Sequence, residues 1–306
     1  MGACVLRSLG DSKSPVWFLA LASLINIVLD FAAIYGLKMG VAGAAIATVV
    51  SQAVSGVLCV WYMKKHFDVL RMEKDDWKFR RAEALRLLGM GVPVGLQFSI
   101  TAIGSVLLQS AVNSLGAIYV SGAAAASKLF QLFCCPYDAL ATAATSFTGQ
   151  NLGAGKYYCI RQGRRACNMI GLIYCCIHII LALFTTRYAI WIFMSADEAQ
   201  SVLGYTQQMC NFVAFFSPLL LFVNVFRLSI QGMGYSRVAL CAGIMEMIAR
   251  TFVGIWAVPR FGYDAACLAG PFAWLLADAF LIPAYFACLR AREQQTVEAK
   301  KLAARE

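Results

Sequence analysis

The chain of 306 residues is 60% hydrophobic and 14% charged, with a mean hydropathy of +0.69. Soluble domains carry about 25% charged and about 45–50% apolar residues, so the composition excludes one and indicates a polytopic membrane protein. The net charge of +10, from 26 basic and 16 acidic residues, suggests nucleic acid only until the charges are located.

A membrane span takes about 20 apolar residues. Eight stretches meet that length or approach it: Pro15–Tyr35, Val41–Met63, Leu87–Val112, Tyr119–Thr148, Met169–Thr186, Gly204–Ile230, Val238–Pro259 and Ala265–Leu289. Each must satisfy its backbone hydrogen bonds internally, and the apolar runs lack the alternation of barrel strands, so all eight are expected as helices.

The first stretch is too long for a signal peptide, lacks a small-x-small cleavage site and holds Asn26 and Asp30. Those two residues are four apart and share a helical face. In the second stretch Thr48 and Gln52 repeat that spacing, while Gly43, Ala47, Ser51 and Ser55 form a small-residue stripe suited to close helix approach. Carboxylate, amide and hydroxyl oxygens are hard ligands fit for Na⁺, and a carboxylate alone can carry a proton. Helix–helix hydrogen bonding would serve Asn26 and Thr48 equally well. Next, residues 75–88 set Trp77, Phe79, Leu85, Leu87 and Leu88 among basic residues, the pattern of a helix lying on a membrane surface.

In the third stretch Gln97, Thr101, Ser105, Gln109 and Asn113 recur every four residues, after a Gly91-x-x-x-Gly95 pair. The fourth carries Lys128, Gln131, Asp138, Thr142 and Thr145 in one stripe. Two such helices in sequence suggest a hydrated cavity, with a structural hydrogen-bond ladder as the alternative. Lys128 and Asp138 stand about 15 Å apart along a helix axis, too far to pair directly. His178, in the fifth stretch, is expected to hydrogen-bond within the helix packing. Glu246 and Arg250, in the seventh, are an (i, i+4) pair expected to satisfy each other as a structural ion pair. Asp278, in the eighth, has no evident local partner. The charged segment after Arg290 is expected to fray.

Alternate loops divide the basic residues 21 to 3, with Lys128 and Arg250 left inside spans. The richer set includes the segments around Lys64 and Arg161, Arg227 with Arg237, and the C-terminal tail. By the positive-inside rule these are cytoplasmic, so the charge records topology in a cell membrane and nucleic acid is not expected as a partner. Twelve cysteines without a CxxC pair, and two histidines, give little support for a zinc site or a disulfide framework. Nothing supplies a nucleophile–base pair or a phosphate loop, so an enzyme is not expected.

Leu9-Gly10-Asp11-Ser12-Lys13 resembles Met233-Gly234-Tyr235-Ser236-Arg237, and each is followed by a span, a short glycine turn, a second span and a basic cluster. Internal repeats are a common build of secondary transporters. If one unit ends near Lys65 and the next near Arg290, the second holds six spans. The first would begin about 160 residues before Met1, room for about four more spans. The expectation is therefore a chain truncated at its N-terminus. Residues 1–65 would be the last two helices of an N-terminal lobe, 66–86 a cytoplasmic linker with the surface helix, 87–290 a complete six-helix lobe and 291–306 a cytoplasmic tail.

Several strings resemble the multidrug and toxic compound extrusion (MATE) family: Leu6 to Pro15, Asn26 with Asp30, Gly40 to Thr48, Gly91 to Gln97 and, most specifically, Gly149-Gln150-Asn151-Leu152-Gly153-Ala154-Gly155-Lys156. The resemblance implies twelve helices in two six-helix lobes with alternating access, the eight spans here being the fifth to the twelfth. It implies a cation-coupled antiporter, driven by H⁺ or Na⁺, that exports cationic amphipathic drugs and needs no other cofactor. The alternative within the superfamily is a flippase for lipid-linked oligosaccharide. In the family a cation site joins an acidic residue of the first helix to Asn and Asp of the fifth and Thr of the sixth. The last three correspond to Asn26, Asp30 and Thr48. Some members use acidic residues of the seventh helix, where this chain has Gln97 and Gln109. Candidate cavity or substrate residues are Gln97, Thr101, Gln109, Lys128, Gln131 and Asp138. The missing four helices would leave the chain inactive alone.

Overall fold

The computed structural model describes residues 2–70, 78–192 and 196–303. Among these the regular structure is helical throughout, as a chain whose backbone must be solvated by itself requires. In order the helices are α1 (Gly2–Ser8), α2 (Lys13–Phe31), α3 (Gly40–His66), α4 (Arg81–Asn113), α5 (Ala117–Gly153), α6 (Tyr157–Ala189), α7 (Ala196–Phe215), α8 (Ser217–Gly232), α9 (Ser236–Phe252), α10 (Val258–Phe261) and α11 (Tyr263–Ala303). They form two compact units, Met1–Arg81 and Ala82–Glu306.

Seven helical segments among the described residues are long and apolar enough to cross a bilayer. The sixth expected span is instead broken into α7 and α8, bent by 54°, and counts as an eighth crossing when the pair is taken together. Pro218 lies in the first turn of α8. It has no N–H to continue the ladder of α7, and its ring disfavours helical continuation.

In the first unit α2 and α3 run antiparallel. The small-residue stripe is the packed face: Gly43, Ala47, Ser51, Ser55 and Cys59 are the buried residues of α3. At Gly43 a Cβ would stand 2.9 Å from the Cβ of Ala33, so only glycine permits this approach. Outward-facing side chains are apolar, with Trp17, Phe31 and Val41 mostly exposed. That is the surface a lipid solvent requires.

In the second unit α5 packs against α6, α7 and α8, while α8 and α9 pack on α11. The core between them gathers Tyr137, Leu221, Phe226, Leu281 and Tyr285. Gly232 sets the α5–α8 spacing, since a Cβ there would lie 2.8 Å from the carbonyl oxygen of Thr145. Gly91 and Gly95 do not mediate such an approach; nothing described lies within 4 Å of a Cβ on either. Of the segment expected as a surface helix, 75–77 fall outside the described residues, and Arg81–Leu88 are the first turns of α4. The segment after Arg290 continues α11 to Ala303. It is tied to α6 by Arg161–Glu293 at 2.6 Å and by the Tyr157 hydroxyl donating to the carbonyl of Arg292 at 3.0 Å.

The internal repeat is visible in the backbone. Gly10 and Gly234 both take positive φ (93° and 86°), as do Gly40 and Gly262 (56° and 63°). Between each pair the first helix ends in a five-residue π-helical segment, Ala32–Gly36 and Val253–Ala257.

Candidate functional site

In the first unit the antiparallel hairpin sets the α2 face bearing Asn26 and Asp30 against α3. The Asn26 amide donates to Thr48 Oγ1 at 3.5 Å, a long bond, while that hydroxyl donates to the carbonyl of Ala44 at 2.9 Å. One turn along α2 from Asn26, Asp30 has a buried oxygen, Oδ1, without a hydrogen-bond partner among the described residues. A buried acceptor left unpaired costs free energy comparable to a lost hydrogen bond and calls for an explanation. The arrangement offers a carboxylate, an amide oxygen and a hydroxyl oxygen from two adjoining helices.

The cavity candidates of the second unit separate into three groups. Gln97 is buried and accepts from Gln231 at 2.8 Å. Thr101 lies beside it, its carbonyl accepting from Arg250 at 3.3 Å. Both belong to the α4–α9 contact, where Gly243 approaches Gln97 and Gly104 approaches Met247. Gln109 donates to Asn113 at 3.0 Å and lines a cavity. On α5, Lys128, Gln131 and Asp138 are exposed, and Asp138 accepts from Asn224 at 3.3 Å. The periodic polarity of α4 and α5 therefore serves different neighbours at different depths.

Glu246, almost fully buried, pairs with Arg250 at 3.6 Å as the spacing indicated. Its closer partner is Arg227 of α8, in direct hydrogen-bonded contact with Oε1. The loop charges of the sequence include Arg227, yet it lies inside α8 with its side chain only 13% exposed. The signal available was its position within the apolar run 204–230. Arg250 also donates to Ser105 Oγ at 2.9 Å. Asp278 of α11 is 4% exposed, and neither carboxylate oxygen has a hydrogen-bond partner among the described residues. His178 meets the Tyr137 hydroxyl at 3.2 Å through Nδ1, a contact between α6 and α5.

The cavity beside Gln109 encloses about 230 Å³ within the second unit. Phe130, Phe133, Trp274 and Tyr263 form much of its wall, Arg250 is its one charged lining residue, and Ser105, Ser127 and His178 add polar atoms.

Long apolar helices with outward apolar faces, carrying polar oxygens and an ion-pair cluster within them, mark a multi-pass membrane protein. The MatE family model matches residues 93–256, more than half of the chain. The chain belongs to the MATE family. It is 34% identical over 220 residues to the probable multidrug resistance protein YpnP of Bacillus subtilis, covering 71% of this chain and 47% of that protein. It is 28% identical over 155 residues to a protein described as an FAD transporter from Shewanella oneidensis, covering 49% of this chain and 34% of that one. Among solved structures, the outward-facing conformation of a multidrug resistance MATE family transporter superposes with a TM-score of 0.87. The identity is 22%, over 95% of this chain and 66% of that one. The chain thus spans about half the length of the curated relatives it matches.

Proposed function

We propose that this chain is the ion-coupling and cargo-binding part of an efflux antiporter for amphipathic small molecules in the cell membrane, with its C-terminus on the cytoplasmic side. Asp30 is the coupling carboxylate, and Asn26 and Thr48 complete its polar surroundings for H⁺ or Na⁺. The observation that carries this reading is the Asp30 oxygen, buried and unpaired on the same α2 face as an amide that reaches α3. Coupling requires that the ion and the cargo bind the two transport states unequally. A carboxylate with room for one more partner supplies such a difference for the ion. The names of two relatives, a probable multidrug resistance protein and an FAD transporter, support small organic molecules as the cargo.

The test is efflux of two fluorescent amphipathic dyes, one cationic and one anionic, driven by an imposed Na⁺ or proton gradient, in everted membrane vesicles carrying the protein. Asp30→Asn is expected to lower gradient-driven efflux at least about tenfold, the effect of about 1.4 kcal/mol. Thr48→Val, which removes one neutral oxygen, should cost less. Coupled efflux surviving intact in Asp30→Asn would remove Asp30 from the role.

A further inference from the structure

The two repeats present opposite chemistry at equivalent positions. The register set by Gly10 and Gly234 places Asn26 on Arg250 and Asp30 on Gly254. The register set by Gly40 and Gly262 places Thr48 on Gly270. Burial supports that second register: the α3 stripe Gly43, Ala47, Ser51 and Ser55 falls on Ala265, Ala269, Ala273 and Ala277, all buried. Where the first unit offers oxygens, the second offers a guanidinium beside a glycine, and Arg250 and Gly270 both line the 230 Å³ cavity.

We propose that this cavity binds a one- or two-ring aromatic anion, its rings against Phe130, Phe133 and Trp274 and its carboxylate-like group on Arg250. An apolar cavity of about 150 Å³ accommodates benzene, so 230 Å³ suits one or two fused rings. Aromatic walls favour stacked or edge-on rings. The charge follows from the ion-pair cluster. Glu246 is hydrogen-bonded to Arg227 and makes a second, longer ion pair of 3.6 Å with Arg250, so one carboxylate faces two guanidiniums. Arg250 places hydrogen bonds on Ser105 Oγ and the Thr101 carbonyl, and a guanidinium has five N–H donors. It therefore retains donors for a ligand, and Glu246 alone leaves one of the two positive charges uncompensated. No carboxylate lines the cavity to receive a cation. The inference names a cargo class for the antiporter and takes its purpose from that reading, but its evidence is binding and not transport.

Three probes of one shape separate the possibilities: 2-naphthoate, 2-naphthamide and 2-naphthylmethylammonium, measured by equilibrium dialysis against the purified protein in lipid nanodiscs, with empty nanodiscs as blank. The expected result is saturable binding with naphthoate at least about tenfold tighter than the ammonium, the amide between them. Arg250→Gln removes the preference of naphthoate over amide and Arg250→Lys keeps most of it. Ser127→Phe, which puts a bulky ring on the cavity wall, weakens all three. If Arg250→Gln does not fold, Arg250→Lys and Ser127→Phe decide. The proposal is overturned by equal or tighter binding of the ammonium or by naphthoate binding indifferent to Ser127→Phe. A preference that survives Arg250→Gln, or saturable binding of none of the probes, overturns it as well. Dye efflux that depends on Asp30 is unaffected by any of these results, so the two readings fail separately.

Discussion

At the N-terminus of α2 the Asp11 carboxylate accepts the backbone N–H groups of Lys13 at 3.1 Å and Ser14 at 3.0 Å. The helix start thereby gains partners that it otherwise lacks. Hydrogen bonds from the Ser14 side chain and backbone hold the carboxyl below the usual carboxylate range. A depressed acid stabilises the folded state above its unfolded pKa of about 4, and that contribution is lost as pH falls through the folded value. Asp11→Ala is expected to cost about 0.5–2 kcal/mol near neutral pH, seen as a lower melting temperature in detergent. The gap to the parent protein should close in strongly acidic buffer. Residue-scale legibility was uneven. Spacing placed Asn26 and Asp30 on one face, and the (i, i+4) rule found Glu246 with Arg250. It could not find Arg227, which reaches Glu246 from another helix across 19 positions of sequence. Nor could it separate Gln97 and Thr101 from Gln109, because one period of four runs through two different environments.

At the scale of helices, small residues were the most readable signal where they recurred along a packed face. The α3 stripe was legible because its period of four matches the helix, so every member meets the same neighbour. Gly91 and Gly95 carry the same spacing and meet nothing among the described residues, since a motif records what a helix permits and its partner decides whether the permission is used. Two glycines make the contrast measurable. Gly232→Ala forces a methyl against the Thr145 carbonyl and should destabilise the protein by about 1–3 kcal/mol. Gly56→Ala, with open space around its Cβ position, should be neutral or stabilising by up to about 1 kcal/mol. Thermal denaturation of the two variants side by side, in the same lipid or detergent, reads the difference. The π-helical segments at Ala32–Gly36 and Val253–Ala257 left no mark in composition, and emerged only when both repeats were seen to make the same detour.

For the molecule as a whole, solvent decided what the sequence could disclose. A chain dissolved in oil must wear its apolar residues outside, so hydropathy located seven crossings, or eight with the bent α7–α8 pair, and said little about which faces touch. Charge position sets only an expectation of topology, and Arg227, grouped with the loop charges, lies mostly buried in α8 against Glu246. The break between α7 and α8 was the element that counting missed, since a bent crossing has the same composition as a straight one. That break has a dynamic corollary. Pro218 cannot donate to the carbonyl of Ala214, so the sixth crossing is two rods sharing a joint with a missing stitch. Amides flanking the joint should take up deuterium from heavy water sooner than those in the middle of α5, which packs against three helices. Equal protection along both crossings would mean that the joint is locked. Faster uptake there, slowed by bound cargo, would identify it as the place where the bundle flexes as it works.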